Sequence, residues 1–368
     1  MIDRVNSLSS PGGDTVQIHA IAEYLSSLGH DVRITLQIED ELTTDLVILF
    51  NLTRPYDLIV QYNALVSKKK IPYLIFPIYW NLDKVIPSEH KDTSLRYLPT
   101  WFKNFLRASV FVIRHVRWII KYRIPLSAFY MRTKTMMNIL QNSICICPNS
   151  QSEAVELMSE YGTNLKNKIK VILNGTAFNE FDINQSEFPD IPFKHYVCCV
   201  GNIGPRKNQL NLVKAAMKEN VNLVLVGDAT PENKWYLDRL KKIAGPNIYF
   251  AGRRKKEDVL KIIQHSYGHI QPSFIETPGL SSLEAAVLGK NIVVSDVGPP
   301  REYFGEYAIY CNPYSVESIA GALCELERRS EGTRNIELSE YVMRNFAWDV
   351  ALKDLKTILR EFQETREK

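Results

Sequence analysis

The chain has 368 residues, of which 45% are hydrophobic and 23% charged, and its formal net charge is +4. This composition excludes a largely disordered or fibrous protein, because it is ordinary for a folded globular chain. The length exceeds what one hydrophobic core usually organises, so we expect two domains.

The spacing of the cysteines and the length of the apolar runs indicate the cellular compartment of the protein. The six cysteines lie among apolar residues without zinc-type or redox C-x-x-C spacing, which is typical of buried free thiols in a reducing environment. No apolar run approaches the ~18 residues that a transmembrane helix needs, and the first residues lack the apolar core of a signal peptide. We therefore expect a cytoplasmic protein.

The positive charge is concentrated in one segment. Residues 93–152 contain nine Lys or Arg and no Asp or Glu. Within it, residues 101–122 have the spacing of one amphipathic helix whose cations fall within about 80° of arc, with Trp101, Ile113 and Ile120 among the apolar residues on the opposite side. The cations are Lys103, Arg107, Arg114, Arg117 and Lys121.

The charged stripe favours an anionic partner. It indicates a helix at the inner face of an anionic membrane, or docking of an anionic lipid-linked acceptor, which would make the protein peripheral. A core-packed helix with a solvated cationic face is the alternative. No nucleic-acid partner is expected, because nothing resembling a nucleic-acid-binding module accompanies the stripe.

The first half alternates strand and helix patterns. After a weak strand at 2–5, the glycine pair Gly12 and Gly13 precedes an amphipathic helix and a further strand. Apolar runs predict strands at 46–50, 58–60, 73–76, 143–147 and 170–173, and a helix is expected at 153–161. This alternation favours a parallel, doubly wound sheet that holds ligands beyond the carboxyl ends of its strands.

The second half begins a new sheet after an aperiodic linker at 179–192. Its first strand leads through a glycine-rich loop to Arg206 and Lys207, which precede a helix and could both reach a diphosphate. The strand–helix pattern then repeats, with helices expected at 237–243 and 259–263. Glycines at the strand ends, Gly201, Gly227 and Gly252, would line one edge of the sheet, across which a nucleotide could lie.

Two glutamates stand out in this half. Glu276 lies in a loop and Glu284 lies one to two turns into a helix that starts near Leu280. Both carboxylates are therefore expected at the N-terminal mouth of that helix, where unpaired N–H groups and the helix dipole favour a phosphate. An ordinary loop followed by a core helix capped by Gly289 is the alternative.

These residues resemble the GT-B glycosyltransferases, and in particular the retaining family labelled family 4, or glycosyl transferases group 1. The resemblance rests on an ordered series of segments: GNIGPRKN, VGDA, NIYFAGR, PSFIETPGLSSLEAAVLGK and NIVVSDVGPPRE. In the first half, PGGDTVQ is similar to the family's glycine-rich loop, CICPNSQSEAVELMSEYG to its strand-to-helix step, and VILNGTAFNEF to its Asn-Gly hinge.

The resemblance implies a role for each matching position. Glu276 corresponds to the first glutamate of the family's E-x7-E motif, which meets the transferred sugar, and Glu284 to the second, which holds the donor ribose. Lys207, with Arg206, corresponds to the cations that bind the diphosphate and stabilise its charge as it leaves. The other donor-binding positions are Gly279, Leu280 and Ser281 through their N–H groups, Gly12 and Gly13 from the first domain, and Gly252 and Arg253 near the base.

Some positions depart from the family pattern. Asn202 replaces an arginine that commonly follows the strand glycine, so Arg206 is expected to supply that cation. A histidine that the family often carries after the strand at 73–76 is missing, and Tyr79 is our substitute for it on the acceptor side. Trp348 is expected to anchor a closing helix that crosses back to the first domain.

The implied fold is α/β, with two Rossmann-like, doubly wound parallel-sheet domains facing across a cleft. We expect an acceptor-side domain at 1–180, a nucleotide-sugar-binding domain at 181–345 and the closing helix at 346–368.

The implied reaction is a retaining transfer from a nucleotide-diphosphate sugar to a glycan or lipid-linked acceptor, in bacterial surface-polysaccharide synthesis. No metal cofactor is expected, because the sequence supplies cations and has no Asp-x-Asp element. A non-catalytic nucleotide-sugar-binding partner subunit and a GT-B sugar-nucleotide epimerase remain alternatives. A phosphorylase of the same fold would need a lysine for pyridoxal phosphate and a longer chain.

Overall fold

The computed structural model describes residues 1, 12–35, 44–67, 69–91, 98–177, 187–277, 279–330 and 334–367. Contacts divide the chain into two units. Unit 1 comprises Met1–Asn81, Asp92–Leu173 and Leu352–Lys368, and unit 2 comprises Leu82–Lys91 and Asn174–Ala351. The chain therefore passes between the units at 81/82, 91/92, 173/174 and 351/352.

Up to residue 173, the described part of the chain forms eight α-helices and three strands. A π-helical segment occupies Tyr62–Ser67, and 3₁₀ turns occupy Ser88–His90 and Thr163–Lys168. The helices and strands are α1 (Gly13–Ser27), β1 (Val47–Phe50), α2 (Pro55–Gln61), β2 (Tyr73–Phe76), α3 (Leu82–Val85), α4 (Thr100–Arg114), α5 (Val116–Lys121), α6 (Ser127–Tyr130), α7 (Arg132–Asn142), β3 (Cys145–Ile146) and α8 (Gln151–Tyr161).

Unit 1 is built on a parallel sheet with the order β1-β2-β3. Val47 lies opposite Tyr73, and Leu74 lies opposite Cys145. Every residue of these strands is buried, as expected for a parallel sheet covered on both faces. The core beside the sheet includes Phe129 and Leu157.

Two strands predicted in unit 1 are not formed. Residues 58–60 belong to α2, because Pro55 occupies the first helical turn and Asp57 complements the helix dipole. Residues 170–173 run beside β3 without becoming a strand, although the Ile172 N–H donates to the Pro148 carbonyl at 2.9 Å. The strand predicted at 2–5 lies outside the described residues, and no strand follows α1 within residues 30–34.

The helix predicted over 101–122 is broken at His115. Residues on either side form α4 and α5, while His115 has φ −115° and ψ 20°. Its ring stacks on Phe111 with centroids 4.1 Å apart. Its carbonyl accepts from the Trp118 and Ile119 N–H groups, so it starts the second helix. The prediction of one continuous helix is therefore wrong.

Unit 2 contains most of the remaining elements. Further 3₁₀ turns occupy Pro205–Lys207 and Pro231–Asn233. The helices and strands are β4 (Val197–Val200), α9 (Gln209–Lys218), β5 (Leu223–Val226), α10 (Lys234–Ile243), β6 (Ile248–Gly252), α11 (Lys256–His265), β7 (Gly268–Gln271), α12 (Leu280–Val287), β8 (Asn291–Ser295), α13 (Pro300–Phe304), β9 (Ile309–Cys311), α14 (Val316–Ser330), α15 (Ile336–Phe346), α16 (Trp348–Ala351) and α17 (Lys353–Glu367, in unit 1).

The sheet of unit 2 is parallel throughout and has the order β6-β5-β4-β7-β8-β9. The chain adds strands outward from β4 in one direction and then restarts beside it with β7. The strand order thus reverses between β4 and β7, and ligands of doubly wound sheets bind at such a switch point. Helices predicted at 237–243, 259–263 and after Leu280 are confirmed as α10, α11 and α12.

The segment Leu82–Lys91 lies between two stretches of unit 1 in the sequence, but it packs within unit 2. The Tyr314 hydroxyl donates to the Val85 carbonyl at 3.1 Å, and the Arg239 guanidinium donates to the Glu89 carbonyl at 2.6 Å. The buried His90 ring meets the edge of Phe274 with centroids 4.7 Å apart. This segment thus covers a loop that follows β7.

Two glycines fix the spacing of the loops after β4 and β5. Gly227 has φ +130°, and a Cβ atom there would lie 2.1 Å from the carbonyl oxygen of Gly201. Because this neighbour is backbone, no side-chain rotation can relieve the overlap. Only glycine allows the two strand ends to approach so closely.

We expect Gly227→Ala to destabilise unit 2 by at least about 2 kcal/mol, since both its backbone conformation and its neighbour resist a side chain. Gly321→Ala is the matched control, because Gly321 lies in the middle of α14 and a Cβ atom added there would have no heavy atom within 4 Å apart from its chain neighbours and the backbone of its own helix. That change should stabilise the protein by about 0.5–1 kcal/mol. Urea unfolding of both variants measures the difference, and equal effects would contradict the explanation.

Candidate functional site

Two loops of unit 2 meet where the strand order reverses. The loop after β4 carries Arg206 and Lys207, and the loop after β7 carries Glu276. The Phe274 N–H donates to the Arg206 carbonyl at 3.0 Å, which ties these two loops together. The structure therefore brings together the three residues that the sequence predicted to meet the sugar and the diphosphate.

Glu276 is buried and accepts hydrogen bonds on both carboxylate oxygens. Arg206 Nη1 lies 3.0 Å from Oε1, and Lys207 Nζ lies 2.5 Å from Oε2. The Ser273 hydroxyl donates to Oε2 at 3.0 Å. We call Arg206, Lys207 and Glu276 the ion triad; it has two positive charges and one negative charge, and therefore a net positive charge.

Burial and the neighbouring positive charges have opposite effects on the pKa of Glu276. Burial alone would raise the pKa of Glu276, but the charges of Arg206 and Lys207 and the hydrogen bonds from Lys207 and Ser273 lower it to about 2. Burial lowers the pKa of Lys207, and the neighbouring Arg206 adds to this effect, while Glu276 opposes it. Glu276 is therefore a carboxylate at neutral pH, and its negative charge favours the protonated form of Lys207.

Close backbone packing holds the triad in place. Asn208, which follows Lys207, has φ +58° and donates from its side chain to the carbonyls of Pro272 and Pro313 at 2.9 and 2.7 Å. A Cβ atom at Gly201 would lie 3.3 Å from Lys207 Nζ. The absence of a side chain at Gly201 thus leaves room for the ammonium group.

The N-terminus of α12 lies next to the triad. Gly279 starts the helix with φ +89°, and a Cβ atom there would lie 3.1 Å from Glu276 Cγ. The Ser281 hydroxyl donates to the Val200 carbonyl at 3.0 Å, which joins the helix to the end of β4. The N–H groups of Leu280 and Ser281 belong to the first turn, whose N–H groups have no partner within the helix. Cations and a helix N-terminus therefore stand together, an arrangement that attracts phosphate.

Glu284 lies one turn further along α12 and forms an ion pair with Lys256 at the start of α11. About a fifth of the Glu284 side chain is exposed, at 19%, so this residue is at the surface of unit 2. Gly252 ends β6 with φ +68°, and Arg253 after it is exposed. These residues lie at the carboxyl ends of β6 and β7 and the helices that follow them, where the sequence predicted the nucleoside.

Sequence reasoning missed several polar residues beneath the triad. The side-chain NH₂ group of Gln271 donates to the Ser273 hydroxyl at 3.0 Å, while the side-chain oxygen of Gln271, Oε1, is buried without a hydrogen-bond partner. Burial and nearby Lys207 lower the pKa of His269 to about 3 although Glu276 opposes them, so this ring is neutral. The polar residues His269 and Gln271 in the predicted strand, and Ser273 in the loop after it, were the available signal.

The residues predicted in the first half lie in unit 1. Gly12 and Gly13 begin α1, where Asp14 accepts a hydrogen bond from the Asn51 side chain at 3.2 Å. Tyr79 is buried in the core of unit 1, with its ring 5.4 Å from that of Tyr161. Its N–H donates to the buried Glu153 carboxylate at 2.8 Å. The acceptor-side role of Tyr79 stays a prediction, and its ring lies inside the fold.

Neither a cluster of metal ligands nor a membrane-spanning helix occurs in the described ranges. Within them, no three or more His, Cys, Asp or Glu side chains form a group that could hold a metal ion. Among these same residues, no helix is long and apolar enough to cross a membrane. The expectation of a site that works without a metal stays a prediction.

The sequence is similar to that of known glycosyltransferases. Residues 182–341 match the sequence model of the family described as glycosyl transferases group 1. An uncharacterized glycosyltransferase of Methanocaldococcus jannaschii is 29% identical over 188 residues, which are 46% of this chain and 47% of that protein. The sucrose-phosphate synthase of Spinacia oleracea is 28% identical over 176 residues, which are 39% of this chain and 17% of that protein. The matches thus span about half of the first relative and less of the second.

Solved structures extend the likeness to the whole chain. The sucrose-phosphate synthase of Thermosynechococcus elongatus superposes with a TM-score of 0.71 at 14% identity and covers 99% of this chain and 98% of its own. Anabaena HepE in complex with UDP-glucose has a TM-score of 0.54 at 16% identity, with 85% of this chain and 99% of its own covered. The predicted GT-B class, α/β with parallel sheets in two units, is confirmed by these likenesses and by the two sheets.

The pKa of Glu276 predicts how stability depends on pH. A carboxylate whose pKa falls from the ordinary 4.5 to about 2 on folding stabilises the native state fully above about pH 4.5, and this contribution is lost as the pH falls towards 2. We expect Glu276→Gln to remove about 3 kcal/mol at neutral pH and progressively less below pH 4.5. Unfolding of both proteins in urea across this pH range measures the difference.

Gly321→Ala serves as the control, since an uncharged change in α14 should alter stability equally at each pH. A difference between wild type and Glu276→Gln that stays constant from neutral pH down to pH 2 would contradict the assigned pKa.

Proposed function

We propose that this chain, whose residues 182–341 match the glycosyl transferases group 1 family, transfers a sugar from a nucleoside-diphosphate donor to an acceptor hydroxyl. The observation that carries the proposal is the ion triad at the mouth of α12. Two cations beside a buried carboxylate and a helix N-terminus suit a diphosphate joined to a neutral, hydroxyl-rich sugar. The position of the triad at the switch point of the sheet supports the same ligand.

Arg206 and Lys207 would bind the diphosphate of the donor. Both now contact Glu276, so an incoming diphosphate would share them with this carboxylate and add its negative charge to a site that is net positive. As the donor reacts, negative charge develops on the departing phosphate. Fixed cations stabilise the diphosphate more strongly in the transition state, where it gains negative charge, than in the ground state, and this difference accelerates the reaction. We propose that this stabilisation needs no metal.

Glu276 would accept hydrogen bonds from the hydroxyls of the transferred sugar. Its low pKa keeps it an acceptor at neutral pH, and its position next to Lys207 places the sugar beside the diphosphate cations. Glu284 would accept from the ribose hydroxyls, with Gly252 and Arg253 near the base. Its ion pair with Lys256 holds this carboxylate at the edge of the site.

We propose that the transfer retains the configuration of the sugar. The bond between the anomeric carbon and the diphosphate oxygen breaks, and its electron pair leaves with the phosphate. The acceptor oxygen then bonds to the anomeric carbon on the same face, and the acceptor proton passes to the departing phosphate oxygen. This front-face route uses only groups that the donor and the ion triad supply.

The acceptor that we propose is a glycan or a lipid-linked glycan in bacterial surface-polysaccharide synthesis. The cations of α4 and α5 support an anionic acceptor or an anionic membrane, because residues 98–152 contain no Asp or Glu. The protein would then work peripherally at the inner face of the membrane.

The donor can be identified by hydrolysis, because donor sites of this kind transfer slowly to water. We expect one nucleotide sugar of a panel to be hydrolysed, and UDP-glucose is the first probe, since Anabaena HepE is seen with it. Release of free sugar and nucleoside diphosphate is measured by chromatography. Tight nucleotide binding without hydrolysis of any donor would favour a non-catalytic binding subunit.

Glu276 and Glu284 should affect different kinetic parameters. Glu276→Ala should lower kcat by about a hundredfold or more, because its contacts lie at the reacting sugar. Glu284→Gln should raise the donor KM by about tenfold with little change in kcat, because ribose binding is the same in ground and transition states. Steady-state hydrolysis or transfer with the identified donor measures both.

Glu337→Ala is the control, since Glu337 is an exposed glutamate of α15. It should leave both parameters unchanged. Wild-type turnover in Glu276→Ala would show that the assigned sugar contact is wrong.

A further inference from the structure

A surface of unit 1 exposes apolar side chains next to cations. It is formed by α4, α5 and the residues around α6, and we call it the α4–α5 face. Ile113, Ile120 and Trp101 are 73%, 71% and 70% exposed. The sequence had placed these three on the side of the helix away from the cations. The other exposed apolar residues of this face are Phe105, Val110, Val116, Leu126, Tyr130 and Met131.

Cations and apolar residues alternate in pairs along this face. Three times on this face an exposed apolar residue is followed directly by an exposed Lys or Arg. Since neighbours on an α-helix are 100° apart, each pair places an apolar side chain beside a cationic one. The pairs are Ile113-Arg114, Val116-Arg117 and Ile120-Lys121.

The inner side of the same helices is fixed to unit 1. Ala108 and Ile119 are buried in the core, and Phe111 and Trp118 pack against it. Phe105 lies 5.4 Å from Tyr130, ring to ring, which connects the face to α6. The helices are thus held by one side, and their exposed apolar residues are additional to what the core requires.

The charge of the face has one sign. Between residues 98 and 152 there are eight Lys or Arg and no Asp or Glu. A surface that meets only water usually mixes charges and exposes few large aliphatic residues together, so this combination points to a partner. That partner should be anionic and should also have an apolar layer that Ile, Trp and Phe side chains can enter.

We propose that the α4–α5 face binds the surface of a membrane that contains anionic lipids. Ile113, Ile120 and Trp101 enter the boundary between headgroups and acyl chains, and the neighbouring Lys and Arg side chains contact the headgroup phosphates. Only the use of this contact, to bring unit 1 to a lipid-linked acceptor, rests on the proposed function. The contact itself can form with any donor chemistry.

The test is flotation of the purified 368-residue chain with vesicles of phosphatidylcholine alone or mixed equally with phosphatidylglycerol. We expect binding to the mixed vesicles only. The combined change Arg114→Gln, Arg117→Gln and Lys121→Gln should reduce the partition coefficient about a hundredfold, because each cation contributes about fivefold at an anionic surface. The combined change Ile113→Gln and Ile120→Gln should reduce it at least about tenfold.

Matched controls carry the same chemical changes on unit 2. Lys241→Gln with Lys242→Gln alters two exposed cations of α10, and Ile336→Gln alters an isoleucine that is 64% exposed. Both should bind as wild type does. Brominated phosphatidylglycerol should quench tryptophan fluorescence in wild type and less in Trp101→Phe, which places Trp101 in the acyl boundary.

Other outcomes overturn the proposal. Equal binding to both vesicle types, or equal loss in face and control variants, contradicts it. So does a dimer in sedimentation velocity that dissociates in the Ile113→Gln, Ile120→Gln variant, if no vesicles are bound, because a second copy then covers the face.

Donor hydrolysis, measured on the same variants without vesicles, keeps the two proposals apart. Wild-type protein that hydrolyses donor but ignores vesicles contradicts only the membrane contact. Protein that binds vesicles through this face but hydrolyses no donor contradicts only the proposed reaction.

Discussion

The burial of Glu276 between two cations is the interaction on which unit 2 depends at its switch point. Glu276 and Lys207 are largely removed from water, at 8% and 11% side-chain exposure, and the attraction between the charges and the hydrogen bonds to them offset that cost. The loops after β4 and β7 must therefore be held in a fixed position relative to each other. The hydrogen bond between Phe274 and Arg206 and the bond from Asn208 to the Pro272 carbonyl join these two loops.

Much of unit 2 could be predicted from the sequence, because β4, β5 and β6 are largely apolar runs that end at or just before a glycine, and its helices have clear periodicity. The same regularity placed Glu276 and Lys207 on loops at one edge of the sheet, which a parallel sheet must bring together. Their direct contact could not be predicted. Periodicity fixes the element on which a residue lies, whereas the partner of a loop side chain depends on tertiary packing.

Unit 1 shows where pattern reasoning reaches its limit. A short apolar run such as 58–60 fits a strand or a helix equally well, and Pro55 with Asp57 decided it. The 101–122 segment has helical spacing throughout, yet His115 turns its carbonyl towards the next helix and breaks it. Periodicity also could not tell which apolar side faces the core. The apolar residues Ala108 and Ile119 are buried, while Ile113, which is equally apolar, is exposed.

The position of Leu82–Lys91 affects how this protein can be divided into fragments that fold. A fragment cut at the boundary between Leu173 and Asn174 would keep every strand of the larger sheet but lose this segment. Phe274, two residues before the triad's carboxylate, would then lose the His90 ring, and Tyr314 would lose its carbonyl partner at Val85. The two halves of the sequence are therefore not two separable parts: the second needs ten residues of the first to complete its own surface.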